Sequence, residues 1–249
     1  MNPPPHSSGI DIFQDGRLQA RREGSFVIAL AGNPNTGKST VFNALTGLNQ
    51  HTGNWPGKTV VRAVGVYQHA GKNVMLVDLP GTYSLLATSA EEIIARDFIC
   101  FADPDATVVV VDATCLERNL NLVLQVLEIT PRVVICLNLM DEARRKRIRV
   151  DTERLAILLG VPVVPTAARS GKGLALLKEA VHGVASRRIR TNPIQLRYAE
   201  EIEEAVHEIE AELARILPQG LSPRWTALRL LDGDRPLLES LERCLSAAK

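Results

Sequence analysis

The chain reads as an α/β fold: a doubly wound, mostly parallel sheet with one antiparallel edge hairpin, followed by a small C-terminal all-helical module. Three observations predict this. From residue 26 to about 190, short continuous Val/Ile/Leu runs alternate with helical patterns, the mark of parallel strands covered on both faces. One such run, Phe26-Val27-Ile28-Ala29-Leu30-Ala31, leads into a glycine-bracketed turn and then a helical pattern, Val41-Phe42-Asn43-Ala44-Leu45. After about residue 192 the strand-like runs stop and only helical periodicity remains. The expected organisation is a flexible leader over 1–24, an α/β domain over 25–190 and a helical module over 191–249.

The expected strands are 26–31, 61–68, 73–78, 106–112, 132–137 and 161–165. The pair 61–68 and 73–78, joined through Ala70-Gly71-Lys72, forms the edge hairpin. Between the first helix and that hairpin, residues 50–60 hold two glycines and a proline and read as a mobile segment. In the module, Ile202, Val206, Ile209, Leu213 and Ile216 make one apolar stripe, with Glu201, Glu204, Glu208 and Glu212 elsewhere around the helix. A second helix begins at Ser222 with Pro223 in its first turn, carries Trp225, Leu228 and Leu231, and ends near Gly233. A third begins at Asp234, with Pro236 in its first turn and Leu237, Leu238 and Leu241 inside. These stripes read as core rather than as ligand grooves.

Composition narrows the function. Of 249 residues 45% are hydrophobic, enough for one large core or a core with a satellite. A net charge of +1 argues against a general nucleic-acid binder. Cys100, Cys115, Cys136 and Cys244 lie far apart, three of them in or beside apolar segments, and read as reduced thiols. The longest apolar run is about six residues, well short of a membrane span. His6, His51, His69, His182 and His207 lack metal-ligand spacing.

Gly32-Asn33-Pro34-Asn35-Thr36-Gly37-Lys38-Ser39 is a complete phosphate-binding loop, and Thr40 follows it on the helix. Its glycines let backbone N–H groups curl around a polyphosphate. Lys38 reaches the β and γ phosphates, Ser39 ligates Mg2+, and the helix N-terminus adds partial positive charge. Asp78-Leu79-Pro80-Gly81 ends a strand: Asp78 can hold Mg2+ through a water, and the Gly81 N–H can bond the γ-phosphate. Thr59, preceded by Gly57 and Lys58, is the residue placed to close on Mg2+ and the γ-phosphate. Trp55 receives no catalytic role.

Asn138-Leu139-Met140-Asp141 follows an apolar strand, as guanine-reading motifs do. Asp141 would accept from the guanine N1–H and 2-amino group, and Asn138 would meet the purine's other edge. Adenine lacks both donors, so such a site discriminates by on the order of 10^4. Leu139 stands where Lys is usual, which would loosen packing over the phosphate loop. Thr166-Ala167-Ala168 fits the short loop whose backbone N–H meets the guanine carbonyl. Together these pieces predict a P-loop NTPase G-domain that binds GTP rather than ATP.

With Gly53-Asn54-Trp55-Pro56-Gly57-Lys58-Thr59-Val60 and Asp78-Leu79-Pro80-Gly81-Thr82-Tyr83-Ser84-Leu85 added, the chain resembles the cytosolic G-domain of the FeoB family, prokaryotic ferrous iron transport proteins. Ser89-Ala90-Glu91-Glu92, Ala95-Arg96-Asp97-Phe98 and the helical segments Tyr198–Ile202 and Arg224–Asp234 are similar too. The resemblance spans about residues 26–245. It implies a GTPase at the cytoplasmic face of the bacterial inner membrane, with GTP and GDP as ligands. The helical module would be a spacer, resembling a GDP-dissociation inhibitor, that joins the GTPase to an Fe2+-moving membrane domain. Self-association is a further expectation. In this family Asn-x-x-Asp commonly lacks the Lys, whereas Lys58 replaces an expected Val and would alter mobility there.

Thr82 stands where Ras-like proteins place a water-orienting Gln, and its hydroxyl is too short for that task. The resemblance implies K+ as the compensating charge, held by Asn35 against the phosphates. Lys38, Asn35, Thr59 and Gly81 are thus the expected catalytic set, with slow turnover. A stand-alone regulatory or ribosome-assembly GTPase is the alternative. The cluster Arg144-Arg145-Lys146-Arg147-Ile148-Arg149 reads first as a solvated helix end, with contact to anionic lipid as the second reading.

Overall fold

The structure is a computed structural model that describes residues 24–47, 50–55, 60–86, 89–217 and 220–247. Of the expected leader only Gly24 lies within them. Among the described residues seven strands form one sheet in the order β2-β3-β4-β1-β5-β6-β7. They are β1 (Phe26–Gly32), β2 (Gln50–Asn54), β3 (Val61–His69), β4 (Lys72–Asp78), β5 (Ala106–Asp112), β6 (Val133–Asn138) and β7 (Val163–Pro165). β1 pairs in parallel with β4 and β5, and β6 pairs in parallel with β5 and β7. The contacts β2–β3 and β3–β4 are antiparallel. The mostly parallel sheet and its antiparallel edge are as expected.

One element departs from expectation. Residues 50–54, read as part of a mobile segment, form the edge strand β2, so the predicted hairpin is one strand inside the edge. Gln-His-Thr-Gly-Asn carries no apolar alternation, and its pairing comes from backbone hydrogen bonds to β3, which leave no trace in side-chain pattern.

The helices flanking the sheet are α1 (Lys38–Thr46), α2 (Ala90–Phe101), α3 (Leu116–Ile129), α4 (Met140–Arg145), α5 (Thr152–Leu159) and α6 (Leu174–Ala185). Successive strand residues point to opposite faces, which divides the core in two. Ala29, Val109, Val111 and Ile135 pack with α2 and α3 residues such as Phe98 and Leu122. Ile28, Leu30, Val108 and Val134 pack with Phe42 of α1 and Leu177 of α6. Both faces of β1 and β5 are therefore dry, which explains their unbroken apolar sequences.

The module holds α7 (Glu200–Ile216), α8 (Pro223–Leu231) and α9 (Arg235–Ala247). α8 starts as expected: the Ser222 hydroxyl accepts from the Trp225 N–H (3.2 Å), and Pro223 occupies the first turn, where its missing N–H costs nothing. The α7 stripe is shorter than its periodicity suggests. Val206 and Leu213 are buried, but Ile202 and Ile216 at its ends are exposed. Nor is the module a closed satellite. Trp225, Leu237, Leu241 and Cys244 belong to the same cluster as Phe98 and Val109 of the α/β domain.

A buried ion network reinforces that seam. Arg96 of α2 is fully buried; its guanidinium donates to Asp97 (2.8 and 2.9 Å) and to Asp234 (3.2 and 3.3 Å), just before α9. The Ser240 hydroxyl on α9 donates to the other Asp97 oxygen (3.0 Å). Burial pushes the Asp97 carboxyl up and the Arg96 charge pulls it back down.

Candidate functional site

The parallel strands deliver the motif residues to one edge of the sheet. Leu30 is in register with Asp78, Gly32 with Val110, and Asp112 with Asn138, so β1, β4, β5 and β6 end together at their carboxyl ends. That is where open α/β sheets hold ligands.

The phosphate loop runs from Gly32, the last residue of β1, to Lys38, the first of α1. Two of its glycines are sterically obligatory. A Cβ on Gly32 would sit 2.6 Å from the Val110 carbonyl, and one on Gly37 would sit 2.5 Å from Asn138 Nδ2. Gly37 also has φ 80°. Asn35 takes a left-handed φ of 66° and is exposed, as are Ser39 and Thr40. The loop is braced from within, because the Thr36 hydroxyl donates to the Asn33 carbonyl (2.9 Å). The Lys38 ammonium forms an ion pair with Asp78 and donates to the Leu79 carbonyl (2.6 Å). Burial pushes the Asp78 carboxyl up, and Lys38 beside it offsets part of that rise. The strand-end carboxylate and the loop lysine thus meet at one point, with Ser39 in the adjoining helical turn.

The base-side motif is organised by Asn138. Its Nδ2 donates to the Thr36 carbonyl (3.0 Å) while its Oδ1 accepts from the Ala168 N–H (3.1 Å) and the Thr166 hydroxyl (3.2 Å). The side chain is buried and ties the phosphate loop to the 166–168 loop. The three N–H groups of that loop are also engaged. Thr166 donates to the Leu137 carbonyl (2.8 Å), Ala167 to the Lys172 carbonyl (3.0 Å) and Ala168 to Asn138. A carbonyl contact from this loop therefore requires one of these bonds to open. Asp141, in the first turn of α4, is exposed and makes no hydrogen bond or ion pair among the described residues. Leu139 lies close to the phosphate loop: its Cδ2 is 3.9 Å from the position that a Gly37 Cβ would take.

The comparisons with known proteins bear directly on this arrangement. The Ferrous iron transport protein B family profile matches residues 26–181, and the FeoB cytosolic helical domain profile matches residues 198–248. The chain belongs to the FeoB family. The Fe(2+) transporter FeoB of Escherichia coli (strain K12) is 40% identical over 214 residues, covering 83% of this chain and 27% of the relative. The chain therefore spans about a quarter of the length of the curated relatives it matches. The cytosolic domain of T. maritima FeoB, solved in a GDP form, superposes with TM-score 0.79 at 38% identity, covering 88% of this chain and 85% of that one. Its GMPPNP form gives 0.78 at 37% identity, covering 87% and 85%. The cytosolic domain of L. pneumophila FeoB gives 0.76 at 34% identity, covering 89% and 93%.

Around this FeoB site, several expected residues behave differently from their sequence reading. Gly57 and Thr59 lie outside the described residues, as does Lys58. Gly81 approaches Pro34, but an added Cβ would meet it at 3.5 Å, an ordinary contact, so packing does not demand glycine there. The Thr82 hydroxyl closes on its own turn, donating to the Ser84 carbonyl (2.6 Å) and accepting from the Ser84 N–H (3.2 Å). Gln125 of α3 holds the same segment by accepting from the Leu85 N–H (2.6 Å) and the Ser84 hydroxyl (3.3 Å). Trp55 is a packing anchor: it is buried edge-to-face against Phe98 of α2 at 5.9 Å. Sequence reasoning missed Gln125, whose partners lie forty residues away; Asn33, expected in the phosphate loop, is there with a buried carboxamide that makes no hydrogen bond among the described residues. Nothing in the local pattern of Gln125 marks it.

Proposed function

We propose that this chain is the GTP-binding and slowly GTP-hydrolysing domain of a ferrous iron transporter. The observation that carries the reading is the Asn138 clasp, which joins the phosphate loop to a base-side loop while Asp141, close in sequence, has no partner among the described residues. That geometry suits guanine, whose N1–H and 2-amino group both donate. Solved FeoB relatives with GDP and GMPPNP support the same choice.

Lys38 and the loop N–H groups would bind the phosphates, and Ser39 and Asp78, joined by Thr59, would hold Mg2+. These are hard oxygen donors on the phosphate side, and their chemistry fits the ion. Mg2+ supplies charge neutralisation on the phosphates. Asn35, exposed at a left-handed apex of the loop, offers an amide oxygen to K+, which supplies further charge neutralisation there. With the Thr82 hydroxyl committed to its own turn, it is not free to orient water, and turnover is expected to be slow. Residues 25–190 would form the G-domain and 191–249 the spacer. The domain would work at the cytoplasmic face of the bacterial inner membrane, with Fe2+ as the cargo of a membrane domain beyond this chain.

Coupling would run through α2. Its N-terminal end follows the Asp78–Leu85 segment, Trp55 packs on its Phe98, and its Arg96 is bound to Asp234 of the module. The test is displacement of a fluorescent GDP analogue by GTP, GDP and ATP. Displacement by the guanine nucleotides alone supports the reading; equal displacement by ATP overturns it.

A further inference from the structure

Residues 142–158 carry six cations, Arg144, Arg145, Lys146, Arg147, Arg149 and Arg154, against three acidic side chains, in a chain whose net charge is only +1. All six are exposed. Two of the acids are already engaged. Glu142 pairs with Arg145, and the Asp151 carboxylate caps α5 by accepting from the Arg154 N–H (2.9 Å). Among the described residues Arg144, Arg147, Arg149 and Arg154 make no ion pair.

Some of this charge suits the C-terminal end of α4, because cations complement that end of a helix dipole. That effect fades within the last turn, and α4 is only 6 residues long. It leaves Arg149 and Arg154 unaccounted for. It also leaves the neighbouring apolar side chains unaccounted for: Ile157 is 81% exposed, Leu158 57% and Ile148 37%. Arg154, Ile157 and Leu158 share one face of α5 by helical spacing. Ile148 and Leu158 line one groove with Leu116, Leu155, Arg149 and Arg154, so the apolar and cationic groups form one continuous surface.

Unpaired guanidinium groups around protruding aliphatic side chains match an anionic bilayer. The cations meet lipid phosphates, and the aliphatic tips reach the headgroup–acyl boundary. We propose that this face, Arg144–Arg149 with Arg154, Ile157 and Leu158, rests on the anionic lipid surface of the membrane. The inference rests on the family reading above, which puts a bilayer within reach of the domain. Contact here would orient the domain, with the Asp141 side of the nucleotide site close to the bilayer, since α4 begins beside that residue.

The test is co-sedimentation of the chain with phosphatidylcholine vesicles, with or without about one-third phosphatidylglycerol, at low and physiological salt. The expected result is binding to the anionic vesicles only, weakened by salt. Each neutralised cation should reduce affinity about five-fold, and Arg147→Glu with Arg149→Glu by at least about 10^2-fold. Ile157→Ser with Leu158→Ser should weaken binding about ten-fold without changing its salt dependence. Equal binding to neutral vesicles, or binding unaffected by charge reversal, overturns the proposal. Nucleotide affinity measured on the same variants shows that they fold. A loss of guanine selectivity alongside intact vesicle binding would count against the proposed function and leave the surface standing.

Discussion

At the scale of single residues, the site depends on how few groups connect its parts. Asn138 satisfies three partners with one buried carboxamide, so its role is as much architectural as chemical. Asp141 is the opposite case, an exposed carboxylate with no partner among the described residues. Replacing it tests the guanine reading at one atom: Asp141→Asn swaps an acceptor for a donor where the 2-amino group would sit. GTP affinity should fall by on the order of 10^3-fold, two charge-assisted hydrogen bonds being lost. Xanthosine triphosphate, with a carbonyl at that position, should bind the variant better than GTP does. Unchanged GTP affinity in a displacement titration would remove Asp141 from the site. Thiol chemistry is quiet at the core, where burial pushes Cys136 up to about 12.

At the scale of elements, α2 links the nucleotide edge to the helical module. Arg96 is fully buried between two carboxylates on different segments. Removing one partner of such a group strands the others, so Arg96→Met should destabilise the fold by about 3–5 kcal/mol in denaturant titration. A loss below 1 kcal/mol, on the order of an exposed pair, would show that the network is ornamental. The join between α7 and α8 has a pH signature. Two hydrogen bonds from Arg224 (2.8 Å each) and one from the Tyr198 N–H (2.8 Å) hold Glu203 down at about 2. Its folded value lies below the unfolded one, so the bridge stabilises the fold above about 4.5 and loses that contribution as pH falls toward about 2. Carboxyl NMR titration should place Glu203 near 2, and Arg224→Ala should return it toward 4.5. A low value that survives the substitution would contradict this cause.

At the scale of the whole molecule, the legible and illegible parts divide along a physical line. β1, the phosphate loop and α1 were readable because local sequence dictates them: an apolar run, glycines with no room for a Cβ, and an amphipathic helix. Ser222 and Pro223 announced α8 for the same reason. β2 was not readable, because a polar strand at a sheet edge is held by backbone pairing alone. The Arg96–Asp234 contact spans 138 residues and looks, in sequence, like two ordinary surface charges. The engaged N–H groups of 166–168 and the Asn138 clasp likewise depend on loops meeting in space. What emerges is a FeoB-family α/β domain whose sheet edge carries the phosphate and base motifs and whose core continues into the helical module.

On the proposed function, this sheet edge would hydrolyse GTP slowly with help from Mg2+ and K+. Steady-state turnover of GTP and ATP by the chain, with Mg2+ in K+ buffer and in Na+ buffer, tests it most directly. The expected result is GTP-only hydrolysis, well below about one per second and faster in K+. Equal use of ATP, or fast turnover indifferent to the cation, would contradict it.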